Sequence, residues 1–259
     1  MPDLLHLLGA FGAAFVAGAI NSVAGGGTLI SFPILIALGL SPKIANATNT
    51  VGIWWGALGS IWGFRPELAR TPQRMRWLLL PAAIGSIGGA ELLNVTSPET
   101  FERIVPWLIL FSVVLFMIQA PIQKMLRSAE AAQRGDRSWM AMAVVAQLAV
   151  AVYGGYFGAG MSIMMLSILA LIGMTDILEM SAMTSLLSLS INGVAGVYFS
   201  IAHLVVWPYA IAMGVGAILG GYLAAGLARR IGKVAIRRFV IAVGLTIAIV
   251  LFIRVARGS

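Results

Sequence analysis

Polar and apolar positions alternate along this chain on the scale of whole helices, not of single residues. Charges punctuate long uncharged runs at Leu7–Pro42, Ile44–Phe64, Trp77–Ala90, Ile104–Gln123, Ser138–Thr175, Met180–Ala202, Leu204–Ala228 and Phe239–Ile253. A membrane-spanning helix needs about 20 apolar residues, and most of these runs fit one crossing. Leu7–Pro42 and Ser138–Thr175 do not. As straight helices they would be roughly 54–57 Å long, against a hydrocarbon core of about 30 Å. Each therefore breaks or folds back, and each contains a breaker. The first holds Gly25, Gly26 and Gly27; the second holds Gly154, Gly155, Gly158 and Gly160. Glycines this dense weaken a helix by roughly 1 kcal/mol each and permit positive φ.

The two long runs are copies. Sliding one on the other by 133 positions places Gly25 on Gly158 and Gly27 on Gly160, and the pairing extends to Gly88-Gly89 on Gly220-Gly221. The pattern predicts an all-α polytopic membrane protein of two repeats, each of about four hydrophobic segments. Residues 1–123 form the first repeat, 124–137 a cytoplasmic connecting loop, and 138–259 the second repeat.

Charge sets the orientation. Phe64–Arg76, Lys124–Arg137 and Arg229–Arg238 hold 13 of the 17 Lys and Arg residues, so these segments belong on the cytoplasmic side. Matching connections of the two repeats carry opposite charge. The connection after Ile44–Phe64 is basic and its counterpart near Ala202–Val206 is uncharged apart from His203. The connection holding Glu99 and Glu102 corresponds to the most basic one. Inverted repeats produce that swap, provided the first and fifth segments are Gly-broken re-entrant hairpins.

Composition excludes several classes. With 60% hydrophobic and 10% charged residues, a water-facing surface cannot be built. Long unbroken apolar runs exclude the alternating pattern of a transmembrane β-barrel. The net charge of +8 reads as cytoplasmic loops, not nucleic-acid binding. Cysteine is absent, which removes disulfides and thiolate chemistry. The first residues lack a basic segment of the signal-peptide kind. Glu91 is the one carboxylate within an apolar run, read either as a solvated helix end or as the carrier of a coupling proton; no His, Asp or Lys reaches the bilayer centre, which weighs against a metal site or a proton pump, and no cofactor is expected.

Neutral polar groups are plentiful around the two breaks. Asn21, Gly25, Gly26, Gly27 and Thr28, with Thr48 and Asn49 on the next segment, are candidate ligand residues. So are Tyr153, Tyr156, Gly158, Gly160 and Ser162, with Thr184 and Ser185. Ser31, Asn46, Thr50, Ser181, Ser188 and Asn192 enrich the same stretches. A broken helix presents unpaired N–H groups and the positive end of its dipole, so two such breaks make an anion site without a formal charge. Gly52-x-x-x-Gly56, Gly85-x-x-x-Gly89 and Gly216-x-x-x-Gly220 read as close helix packing. The seven tryptophans sit mostly near segment ends, as an interfacial belt.

The run Gly18–Leu35 (GAINSVAGGGTLISFPIL) followed by Leu38–Thr50 (LGLSPKIANATNT) resembles the TauE/SafE-type sulfite exporter family, as do GAGMS at Gly158–Ser162 and GGYLA at Gly220–Ala224. The resemblance spans nearly the whole chain. It implies a multi-pass secondary transporter of the bacterial inner membrane, carrying sulfite or a small organosulfonate by alternating access. Its partners would be that anion and the lipid bilayer, with the number of subunits left open. Two rival classes are weaker. An intramembrane enzyme finds only Gly160-Met161-Ser162, without a following glycine or a central histidine. A channel finds only Tyr153-Gly-Gly-Tyr-Phe-Gly, short of a potassium filter. No nucleotide-binding motif is present, so a gradient must drive transport.

Overall fold

The computed structural model describes residues 3–21, 26–128, 137–231 and 233–256. Among them there are twelve helices and no strand. The first half comprises α1 (Leu4–Asn21), α2 (Thr28–Ala37), α3 (Pro42–Gly63), the short α4 (Arg65–Arg70) and α5 (Gln73–Arg76), α6 (Leu79–Val95) and α7 (Pro98–Ser128). The second comprises α8 (Arg137–Tyr156), α9 (Met161–Leu171), α10 (Ile177–Ile201), α11 (Trp207–Ile231) and α12 (Lys233–Ala256). Leu4–Asn21, Pro98–Ile118 and Leu178–Ile201 are each long and apolar enough to cross a membrane by length and composition. The outer surface is apolar as well, with Leu80, Ile84, Val145, Val197 and Ile211 all exposed, as a lipid-facing surface requires.

Both over-long runs break at their glycines. Gly26 (φ 88°) and Gly160 (φ 79°) take left-handed backbone that a side chain rarely adopts. The shorter legs α2 and α9 begin directly after them. α2 runs back along α1. A Cβ on Gly27 would strike the Ala17 carbonyl, and the Leu38 side chain lies 3.3 Å from where a Cβ on Gly9 would stand. The stretch expected as a connecting loop from Lys124 is instead helical through Ser128, because α7 continues past its apolar segment, and α8 starts at Arg137. Residues 129–136, part of that expected connecting stretch, lie outside the described residues.

Helix pairings come in matched sets. α1 packs chiefly on α11 and α8 on α6; α3 packs on α11 and α10 on α6; α7 meets α12 and α3 meets α10. The contacts correspond residue by residue. A Cβ on Gly216 or Gly220 would strike the carbonyls of Phe11 or Phe15, and one on Gly85 or Gly89 would strike those of Leu148 or Val152. In return, Gly18 abuts Ala217 and Gly155 abuts Ser86. The structure thus aligns Gly85 and Gly89 with Gly216 and Gly220. The expected match of Gly88-Gly89 to Gly220-Gly221 is off by one, since a Cβ on Gly88 or Gly221 would meet no atom of a neighbouring helix nearer than 3.8 Å, so neither need be glycine.

The same contacts give the helix directions. α1 and α11 run parallel, as do α8 and α6, while α3 opposes α10 (Val51 by Gly196, Trp54 by Gly193) and α7 opposes α12 (Trp107 by Phe252, Val113 by Gly244). α3 also runs parallel to α11 (Gly52 by Met213, Gly56 by Ala217) and α6 to α10 (Ser86 by Ile191, Asn94 by Tyr198), so α1, α3 and α11 share one direction and α6, α8 and α10 the other. Two buried clusters hold the bundle. One centres on Phe32, Phe101, Phe116, Tyr156, Phe157 and Phe199. The other is methionine-rich, with Met75, Met161, Met165, Met174, Met180 and Met183, a side chain that fills irregular gaps between helices.

Candidate functional site

The two breaks meet. A cavity of about 820 Å³ lies between them, bordered by α1, α3, α10 and α11. Nine sequence-predicted residues line it: Asn21, Gly26, Thr28, Asn49, Gly158, Gly160, Ser162, Thr184 and Ser185. Thr50, Ser188 and Asn192 add polar groups, and Ile53, Phe157, Met161 and Ile218 add apolar wall. No charged side chain lines it among the described residues. Toward the ends of α3 and α11 the lining continues to Phe64 and to Tyr222, which is 82% exposed, so the cavity opens on the side of the arginines that follow Phe64. Arg65 is stacked on Trp62 there, 4.7 Å from its ring centroid.

The opposite side is closed. Phe32 meets Phe157 edge-on at 5.4 Å, and Phe101 meets Tyr156 at 5.6 Å. Lys43 at the start of α3 donates to the carbonyls of Asn94 (2.6 Å) and Thr96 (2.9 Å) at the end of α6. That places a cation on the negative end of a helix dipole. Nearby, Tyr198 donates a hydrogen bond to Glu91, an exposed carboxylate at the same end.

At the first break the helix N-terminus is partly satisfied already. Asn21 Oδ1 accepts from the Gly27 N–H at 2.7 Å, and Leu29 and Ile30 donate to the carbonyls of Gly26 and Gly27. The N–H groups of Thr28 and, at the second break, Ser162 make no hydrogen bond among the described residues. Asn49, only 1% exposed, has its Oδ1 engaged by the Ser31 hydroxyl at 2.5 Å, which leaves the amide nitrogen for the cavity. Thr184 is 6% exposed, and its hydroxyl has no partner within the protein. An unsatisfied buried hydroxyl costs about 1–3 kcal/mol, and this one belongs to a residue of the cavity wall. Together these groups make the described lining rich in hydrogen-bond donors and free of charged side chains.

Four predicted residues support the site from outside it. Gly27 is spent on Asn21 and on the close approach to Ala17. Thr48 is buried, and its hydroxyl accepts from the Val206 N–H at 3.0 Å, which ties α3 to the start of α11. Tyr153 donates to the Ala159 carbonyl at 2.6 Å, and Ser112 on α7 donates to the same carbonyl at 2.9 Å, holding the second break in place. Tyr156 packs on Phe101 while its carbonyl accepts from Asn46 at 2.9 Å. Gly25 lies outside the described residues. Sequence reading passed over Gly18, Ala57, Phe64, Ala217 and Tyr222 as lining residues and read Gly56 as packing alone. Gly56 does approach Ala217, at 3.3 Å from its would-be Cβ, and it also lines the cavity. The glycine spacing in α3 was the available signal, since a close helix crossing next to a break leaves a wall without side chains.

Comparison with known proteins finds a membrane transporter family. The family model described as sulfite exporter TauE/SafE matches residues 10–251. The chain is 29% identical over 240 residues to a probable membrane transporter protein of Haemophilus influenzae, covering 92% of this chain and 91% of that one. It is 28% identical over 246 residues to the probable membrane transporter protein YfcA of Escherichia coli, covering 93% and 87%. It is 27% identical over 253 residues to the probable membrane transporter protein ORF9 of a Sinorhizobium species, covering 96% and 94%. No solved structure matches it significantly.

Proposed function

This chain belongs to the sulfite exporter TauE/SafE family, and on that premise we propose that it is a secondary carrier exporting sulfite or a small organosulfonate across the bacterial inner membrane by alternating access. One observation carries the reading. Two helix breaks from different halves of the chain face one cavity whose described lining offers N–H, amide and hydroxyl donors and no charged side chain. An anion held by neutral donors is bound weakly enough to be released, and water is excluded on the closed side by packed aromatic rings. The Thr184 hydroxyl and the N–H groups of Thr28 and Ser162, which have no partner among the described residues, are the groups an oxyanion would satisfy.

The halves 1–123 and 138–259 act as inverted repeats across the bilayer in this reading, with α1–α2 and α8–α9 as re-entrant hairpins. The opposite helix directions of matching elements support that arrangement. By the positive-inside rule the open side is cytoplasmic, so the carrier rests ready to load from within, with Arg65 directly following the lining residue Phe64. The protein performs no covalent chemistry on its cargo and requires no cofactor.

The test is transport by the purified protein in proteoliposomes. Sulfite and a two-carbon sulfonate should each show saturable uptake, with counterflow when the opposite face is preloaded. Flux linear in concentration without counterflow would identify a channel, and absence of flux for both would remove these anions as cargo.

A further inference from the structure

Two asparagines line the cavity beside the first break, and in both the amide oxygen is already engaged by a protein donor. Asn21 Oδ1 accepts from the Gly27 N–H at 2.7 Å, and Asn49 Oδ1 accepts from the Ser31 hydroxyl at 2.5 Å. Ser31 is fully buried and lies outside the cavity lining. Its single proton has two acceptors in reach, Asn49 Oδ1 and the Gly27 carbonyl at 3.2 Å. The separation of 2.5 Å suits O–H···O and is too short for an amide N–H donor, so the proton belongs to Asn49. The amide of Asn49 is thereby fixed with its nitrogen toward the cavity.

We propose that Ser31 is a positioning residue of the anion site: by giving its proton to Asn49 it presents N–H alone to the cargo and sets the preference for oxyanions that carry no proton of their own. The proposal rests on the anion-carrier reading above. An amide about its last torsion has two nearly equivalent orientations. Without the Ser31 hydroxyl, the buried oxygen loses its donor and the favoured orientation turns it toward the wet cavity. Binding an oxyanion then requires turning it back and leaving that oxygen unpaired. A hydrogen phosphate behaves differently, because its P–O–H can donate to an amide oxygen that faces it.

The experiment is a double-mutant cycle in the intact purified protein, with sulfite binding read by calorimetric titration and hydrogen phosphate as competitor. Ser31→Ala should weaken sulfite about 5- to 100-fold, with cooperative thermal unfolding retained. Ser31→Ala combined with Asn49→Ala should be no weaker than Asn49→Ala alone, and Ser31→Thr, which keeps the hydroxyl, should restore affinity. The preference for sulfite over hydrogen phosphate should narrow in Ser31→Ala. Additive losses in the cycle, wild-type affinity in Ser31→Ala, or an unchanged preference would overturn the proposal. Wild-type affinity in Asn49→Ala would instead overturn the location of the site, which separates the two failures.

Discussion

Asn49 on α3 and Thr184 on α10 both line the cavity yet are stabilised differently, and substitutions should separate binding from folding at each. Asn49→Ala removes an N–H donor and is expected to cost about 1–3 kcal/mol of sulfite binding, roughly 5- to 150-fold in affinity, measured by titration. Thr184→Val removes a buried hydroxyl that has no protein partner. It should raise thermal stability by about 1 kcal/mol while weakening sulfite, because the polar atom is costly until cargo satisfies it. Thr48→Val should do the reverse. Its hydroxyl accepts from Val206, so stability should fall by about 1–3 kcal/mol with the affinity of the folded protein unchanged. Thr48 and Thr184 look alike in sequence, and only the partner across the bundle tells them apart.

The two breaks also differ in tolerance. A Cβ on Gly26 would run into the buried Phe116 ring, whereas one on Gly160 has 3.3 Å to the end of Leu115. Both are strained by positive φ, but Gly26→Ala should unfold first and Gly160→Ala should survive for titration.

At the scale of elements, the crossings of α1 on α11 and α6 on α8 are replicas, with glycine against carbonyl in the same register. Gly89→Ala and Gly220→Ala should therefore lower thermal stability in detergent by similar amounts, about 1–3 kcal/mol each. Gly88→Ala and Gly221→Ala should be nearly neutral. A large effect at Gly88 or Gly221 would mean the crossings are registered otherwise. The broken runs were legible because 36 or more uncharged residues do not fit a bilayer as one helix. The hairpin partners were not, because contact of α2 with α12, or α9 with α7, leaves no periodic trace in either segment.

For the whole molecule, absence of cysteine permits a labelling test without background. Thr100→Cys, near the start of α7, and Lys233→Cys, at the start of α12, should react with an impermeant reagent from opposite faces, with Lys233→Cys cytoplasmic. Reaction from one face would defeat the inverted arrangement.

Sequence alone determined that this is a helical membrane protein, where its over-long runs break, and which polar residues surround the breaks. Those properties follow from local causes: run length against bilayer thickness, glycine's backbone freedom, and the cost of stranding charge in lipid. Tertiary structure decided the rest. It put Thr184 and Asn49 on the cavity wall, turned Thr48, Tyr153 and Tyr156 into supports, gave Gly56 and Tyr222 a place in the lining, and made Ser31 the partner of Asn49. A side chain's role in a cavity lined by neutral donors depends on which of its hydrogen-bonding atoms remain unspent. That is a property of partners brought together by packing from segments as distant as α3 and α11, and no local pattern encodes it.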